Sequence, residues 1–233
     1  MSTSTAQSQI TLSGSCTIVK EFFHYAINTI LYQRGIYAPS SFRRESKYGL
    51  TVLVSEDEGL QKYIDNVMGG VEDWLREGMI ERLVVVVGGE ETGETLERWT
   101  FNINVDTTDK EGTDKDKDTS LGSGVSDENT AGNATGATNK KPAKSTREIN
   151  LEIAAIIRQI TASVTFLPLL DEPCSFDLLV YTRGEATVSS KKWEDSDPRY
   201  IVNSSEVKLR SFTTTVHKVE GMVSYKEKDE WDL

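Results

Sequence analysis

The spacing of hydrophobic residues changes along this chain, and each spacing predicts an element. Ile18, Val19, Phe22, Phe23, Ala26, Ile27, Ile30 and Leu31 recur at i, i+1, i+4 and i+5. That is one wide helical face, begun near Ser13–Ser15 and stopped at Gly35. Leu60, Tyr63, Ile64, Val67, Met68, Val71, Trp74 and Leu75 make a second face, closed by Gly78. Ser55, with Glu58 three residues on, reads as its capping box. Gly69-Gly70 weakens the middle of this helix and predicts a close helix contact or a kink. A third stripe, Ile149, Ile153, Ile156, Ile157, Ile160 and Val164, follows a capping box of Ser145 with Glu148. Leu167 joins the core at the exit, and Pro168 breaks the helix. Arg158 and Gln159 fall off the stripe, facing outward near its C-terminal end.

Elsewhere the period drops to two. Leu83 to Val87 is a β-branched run that reads as a buried strand. A glycine-rich turn joins it to Trp99, Phe101, Ile103 and Val105, which alternate with Thr100, Asn102 and Asn104. The pair predicts an antiparallel hairpin with one buried and one wet face. Cys174 to Tyr181 reads as a central strand ended by Arg183-Gly184. Trp193, Tyr200 and Ile201 then sit in polar, irregular company. The segment EVKLRSFTTTVHKV reads as one long strand whose parity slips: Val207 and Leu209 share one face, Phe212 and Val216 the other. A bulge or a second register accounts for the slip equally well.

Between Asp106 and about Arg147 the pattern collapses, with Leu121 and Val125 the only large aliphatics. Such a stretch does not bury enough surface to offset its ordering entropy, so a disordered insertion is expected. This dilution explains the low hydrophobic fraction of 37% in 233 residues. The net charge of −11 argues against general nucleic-acid binding, which needs clustered Lys and Arg. No stretch is long and apolar enough to span a bilayer.

Reactive chemistry is scarce. His24 and His217 are the only histidines, and neither has a ligand-spaced partner. Cys16 and Cys174 read as small core residues. Gly88-Gly89 is followed by no GK[ST], so a turn is the better reading than a phosphate loop. No metal or cofactor is expected. Two classes then compete: a binding module working through sheet edges, or an enzyme with an unrecognised site. Aromatics near a strand-forming C-terminus favour a partner peptide held by strand addition.

LYQRGIY (31–37), KYGLTVLV (47–54), LERWTF (96–101), IRQITASVTFLPLL (157–170), CSFDLLVYT (174–182) and LRSFTTTVHKV (209–219) closely resemble the mitotic-arrest-deficient, spindle-checkpoint branch of the HORMA-domain family. Other HORMA adaptors, the translesion polymerase subunit and meiotic axis proteins, share the first two blocks loosely and are the alternative reading. The resemblance implies an α+β domain over 10–225, three helices on a mixed or antiparallel sheet. A flexible N-terminus (1–9), the insertion (106–147) and an acidic tail (226–233) bearing Trp231 lie outside it. It also implies a mobile C-terminal safety belt, about 183–225, that differs between open and closed states. In the closed state the belt wraps a partner peptide paired as an added strand, and the parity slip is expected to serve pairing in two places.

The same resemblance implies an adaptor rather than an enzyme. Its partners would be a coiled-coil receptor at kinetochores and the activator of the anaphase-promoting complex. Sequestering the activator would delay anaphase, with conversion templated by a dimer of open and closed copies. Neither nucleic acid nor membrane is implied, and the expected location is nucleus and kinetochore, and also cytoplasm. By family position, Arg158, Gln159, Thr165, Phe166 and Arg210 would form the self-dimerisation surface. Trp74, Leu178, Tyr181, Trp193, Tyr200, Phe212 and His217 would belong to the peptide site and belt.

Overall fold

The computed structural model describes residues 10–105, 144–184 and 193–227. The expected flexible N-terminus, all but the last residues of the insertion, the start of the belt and the end of the tail with Trp231 lie outside them. Three helices, α1 (Leu12–Gln33), α2 (Glu58–Glu77) and α3 (Thr146–Ala162), accompany strands β1 (Phe42–Lys47), β2 (Leu50–Ser55), β3 (Ile80–Gly89), β4 (Thr95–Val105), β5 (Cys174–Thr182), β6 (Ser204–Thr213) and β7 (His217–Lys226). β1 and β2 form a hairpin; the other strands form one sheet in the order β5-β3-β4-β7-β6. Every pairing in it is antiparallel, so the sheet is not mixed.

The helix ends follow their capping chemistry. Thr11 caps α1, its hydroxyl accepting from the Gly14 amide at 3.1 Å. The expected Ser145–Glu148 box forms on α3, starting within the last residues assigned to the insertion. The expected Ser55 box on α2 does not form. Ser55 ends β2 with its amide bonded to Asn28, and the Asp57 carboxylate caps the helix through the Leu60 amide at 2.7 Å. A charged acceptor at the helix start is the stronger cap, because it also meets the positive end of the dipole. α2 runs unbroken through Gly69-Gly70, so there is no helix break at the glycine pair.

The core lies between the helices and one face of the sheet. Phe22 of α1 meets Phe101 of β4 and Phe212 of β6 at ring-centroid distances of 5.6 and 4.9 Å. Next to it an ion pair is buried. The Arg34 guanidinium lies 2.5 Å from the Glu97 carboxylate, which also accepts from the Trp99 indole at 3.0 Å. Burial pushes the Glu97 carboxyl above its usual range, against the opposing pull of Arg34. Arg34 also donates to the Pro168 carbonyl, tying the loop after α3 to the end of α1.

Other expectations need correction. Val164 is 44% exposed, because α3 stops at Ala162 and a tight 3-10 turn over Ser163–Thr165 changes the period. Buried Ser163 takes its place, donating to the Ile160 carbonyl. Pro168 therefore follows a helix already ended. Among the described strands β5 is an edge strand, not a central one. Its mostly half-buried residues mimic a central strand because α2 and residues 193–200 flank it. On β4, Thr100 is buried although it lies on the face expected to be wet, and Val105 is exposed beyond the core. The supposed single C-terminal strand is the hairpin β6–β7, turning where the Thr214 amide bonds the His217 carbonyl. Its parity slip is a bulge between Lys208 and Ser211. The extra residue returns Phe212 to the core side already used by Val207 and Leu209.

Candidate functional site

Of the residues singled out by sequence, one group gathers at the β5 edge. β5 pairs with β3 alone among the described strands, which leaves its other edge with backbone groups unpaired by any strand. The Leu178 amide turns outward and meets the Tyr63 hydroxyl of α2 at 3.4 Å. On the helix side of this edge, Phe176 lies between Tyr37 and Tyr63, with ring centroids 6.3 and 5.8 Å away. Leu178 is buried beside them.

Just after β5 the Arg183 amide bonds the Met79 carbonyl at 2.6 Å, and further along the chain residues 193–200 cross the β5 edge. Trp193 lies on α2, its ring centroid 4.7 Å from that of Trp74. Six residues later Arg199 pairs with Asp177 of β5 at 3.4 Å. Asp177 alternates with Leu178 and so faces the opposite side of the sheet. Tyr200 then lies on the outer face, stacked by the Arg98 guanidinium of β4 at 4.9 Å. Residues 193–200 thus pass from the helix side round the β5 edge to the outer face. Tyr181, on that outer face, is stacked by Arg82 at 5.1 Å.

Phe212 and His217, expected with the same group, do not join it. They sit at the other side of the sheet and anchor the β6–β7 hairpin in the core. The His217 ring is buried, with Nδ1 2.6 Å from the Ser15 hydroxyl at the start of α1. Burial holds its pKa below the ordinary histidine value, so the ring is neutral near pH 7.

Of the expected self-association residues, Gln159 and Arg210 are brought into direct contact. Gln159 of α3 accepts the Arg210 amide at 2.6 Å, at the bulge of β6. Phe166 is 42% exposed and its ring lies 6.3 Å from that of Tyr225. Thr165 donates to the Ala162 carbonyl, while Arg158 is exposed on α3. Gln159 is only half-buried but works inside the chain, which helical periodicity does not reveal.

Sequence reasoning missed Tyr37, Asp177 and Arg199, and gave Tyr63 and Gly70 no part in the site. Tyr63 carries the one detectable signal: a hydroxyl at the margin of an otherwise apolar stripe. Among the described residues no cluster offers three metal-ligating side chains, and no helix is long and apolar enough to cross a membrane.

Three helices on a five-stranded antiparallel sheet, with one edge crossed by residues 193–200, define an α+β domain class. Residues 15–217 match the HORMA domain model. The chain is 50% identical to the mitotic spindle assembly checkpoint protein MAD2A of Dictyostelium discoideum over 221 residues, 95% of each chain. It is 48% identical to the Homo sapiens protein of the same name over 217 residues, 93% of each. A solved mitotic checkpoint complex contains a chain matching at TM-score 0.74 and 36% identity, over 92% of this chain and 99% of that one. C. elegans HTP-2, solved bound to an HTP-3 closure motif, matches at TM-score 0.68 over 94% of this chain and 89% of its own. At 11% identity that likeness shows the fold alone.

The chain belongs to the HORMA-domain family. Within it, the chain groups with the MAD2 spindle checkpoint proteins; its role is that of a checkpoint adaptor, not of an enzyme.

Proposed function

We propose that this chain captures partner peptides as an added strand on β5 and holds them under the segment 193–200. The observation that carries the reading is the crossing itself. An edge strand with outward amides lies beneath a segment anchored on both faces of the sheet, at Trp193 and at Arg199–Tyr200. Main-chain pairing supplies affinity in such a mode, and side-chain pockets supply selectivity. With β7 paired on β4 rather than on β5, the β5 edge stays free of the β6–β7 hairpin, which supports a closed belt.

Peptide segments of a coiled-coil kinetochore receptor and of the activator of the anaphase-promoting complex are the ligands this reading assigns, which places the protein at kinetochores in the nucleus, and in the cytoplasm. Self-association through Arg158, Phe166 and Arg210 would template conversion of an open copy. The exposure of Arg158 and Phe166 supports that role. Arg158→Glu is expected to leave folding and peptide binding intact and to abolish dimer on sizing chromatography.

The central test is residue-resolved hydrogen exchange with a synthetic peptide of basic-aliphatic-aliphatic sequence followed by proline. The Leu178 and Val180 amides should exchange more slowly when it binds, since strand addition pairs them. Binding with unchanged exchange along β5 would overturn the reading.

A further inference from the structure

Glycine inside a helix costs about 1 kcal/mol relative to alanine, and α2 carries two in succession at its centre. Their surroundings differ. A Cβ built on Gly69 meets nothing within 4 Å among the described residues. A Cβ on Gly70 would stand 2.7 Å from Cζ2 of Trp193 and 3.3 Å from its Cε2 and Nε1. No real side chain makes the first of these contacts, and the atom in the way belongs to a rigid indole. The absence of a Cβ therefore lets the indole lie directly on the helix backbone. Trp74, one turn further along α2, supplies the second wall and is itself 8% exposed.

Among the described residues, the helix-side attachment of the crossing segment is the packing of Trp193 on α2. The ion pair and the cation–π stack that follow lie on the outer face and are solvent-accessible. Arg199 and Asp177 are 41% and 53% exposed along their side chains, and Tyr200 is 70% exposed. Exposed pairs of this kind contribute little. A partly buried aromatic contact fitted to a bare backbone contributes more.

We infer that Gly70, with Trp74, forms a seat for Trp193 that sets how long the crossing segment stays closed, so that Gly70 is a positioning residue governing peptide release. The inference rests on the peptide-capture reading above. For a peptide to leave or enter sideways, the segment must lift from α2, and the Trp193 seat is the contact that has to open.

Gly70→Ala and Gly69→Ala provide the test together. Both replace a helix-interior glycine and gain the same propensity, yet only the first meets Trp193. Peptide dissociation is followed by fluorescence polarisation of a labelled basic-aliphatic peptide after dilution into excess unlabelled peptide. Gly70→Ala should release it about tenfold faster or more, the scale of overpacking a rigid contact. Gly69→Ala should stay within about twofold of the unaltered chain. Thermal melting should show both variants folded, which separates a lost seat from a lost fold. Equal release rates for the two variants would overturn the inference. If the peptide binds neither variant nor the parent chain, the capture reading fails by itself. Exchange of the 193–200 amides still decides the seat in that case: faster in Gly70→Ala than in Gly69→Ala supports it, and equal rates refute it.

Discussion

The two edges of the five-stranded sheet are built in opposite ways. At the β6 edge, side chains from α3 answer backbone donors directly: Gln159 accepts from the Arg210 amide and Glu152 from the Thr213 amide. A bulge bends the strand there, and Glu206, Lys208 and Arg210 line it with charge. Those are the devices by which an edge is kept from recruiting another strand. At the β5 edge the outward Leu178 amide meets only a tyrosine hydroxyl at 3.4 Å, under a segment held by a tryptophan and an exposed ion pair. One edge is sealed by the chain's own architecture, and the other is kept usable but guarded. The difference is a ground, within this chain, for the proposed capture of peptide at β5.

The comparison breaks most readily at the sealed edge. Phe212→Ala removes a ring with no exposure that packs on Phe22, and large-to-small changes of this kind cost about 3–5 kcal/mol. Denaturant unfolding should show that loss. A cost below about 1 kcal/mol would mean that β6 is not part of the core.

Acid should act on the same side. The folded-state pKa of His217 lies below its unfolded value, so the unfolded chain takes up the proton first. The stability it contributes is present above the unfolded value near 6.5 and is lost as pH falls below it. His24 shifts in the same direction through burial, so the comparison needs a variant. The fall in melting temperature between pH 7.5 and 5.5 should be smaller in His217→Asn than in the parent chain. Undiminished pH dependence in that variant would remove His217 from the anchor.

How much of this was legible in the sequence varies with the physics behind each feature. The helix stripes at Phe22–Phe23 and Ile153–Ile160 and the β3–β4 hairpin follow from periodicity, because burial of one face is a local property of spacing. The Ser145 box was legible for the same reason, its two partners being three residues apart. The Asp57 cap was missed because Ser55–Glu58 fits the same pattern, and only the end of β2 decides between them. The edge position of β5 was also missed. Half-burial by α2 and the crossing segment gives it the composition of a central strand. Periodicity recognised the parity slip at Leu209–Phe212 but left bulge and second register open, since pairing partners settle that. The site itself joins Gly70, Asp177, Trp193 and Arg199 from α2, β5 and the crossing segment. No spacing rule links them; Trp193 stood out as an aromatic in polar company, and Leu178 was reached through the family resemblance.

Two smaller changes sharpen the contrast between the edges. Gln159→Ala leaves the Arg210 amide without its acceptor and should cost about 1 kcal/mol, the worth of one hydrogen bond. Exchange at Arg210 should quicken while exchange at Leu178 stays unchanged. Accelerated exchange at both edges would show that they are coupled through the sheet rather than built separately.

The smallest effect is expected at the guard of the open edge. Asp177→Asn removes the ion pair with Arg199 but keeps a side chain of the same size. Both partners are well exposed, so water and salt already screen them, and the stability change should stay under about 1 kcal/mol. The useful reading is where that small change falls. If the pair steadies the crossing segment, exchange of amides near Arg199 and Tyr200 quickens slightly, and raising the ionic strength reproduces it in the parent chain. The Arg210 and Thr213 amides of β6 should not respond to either treatment, because their acceptors, Gln159 and Glu152, lie on α3 at the opposite edge of the sheet. A response confined to the crossing segment would mean that the weak ion pair acts only on opening, and that closure depends mainly on the aromatic contact at Gly70.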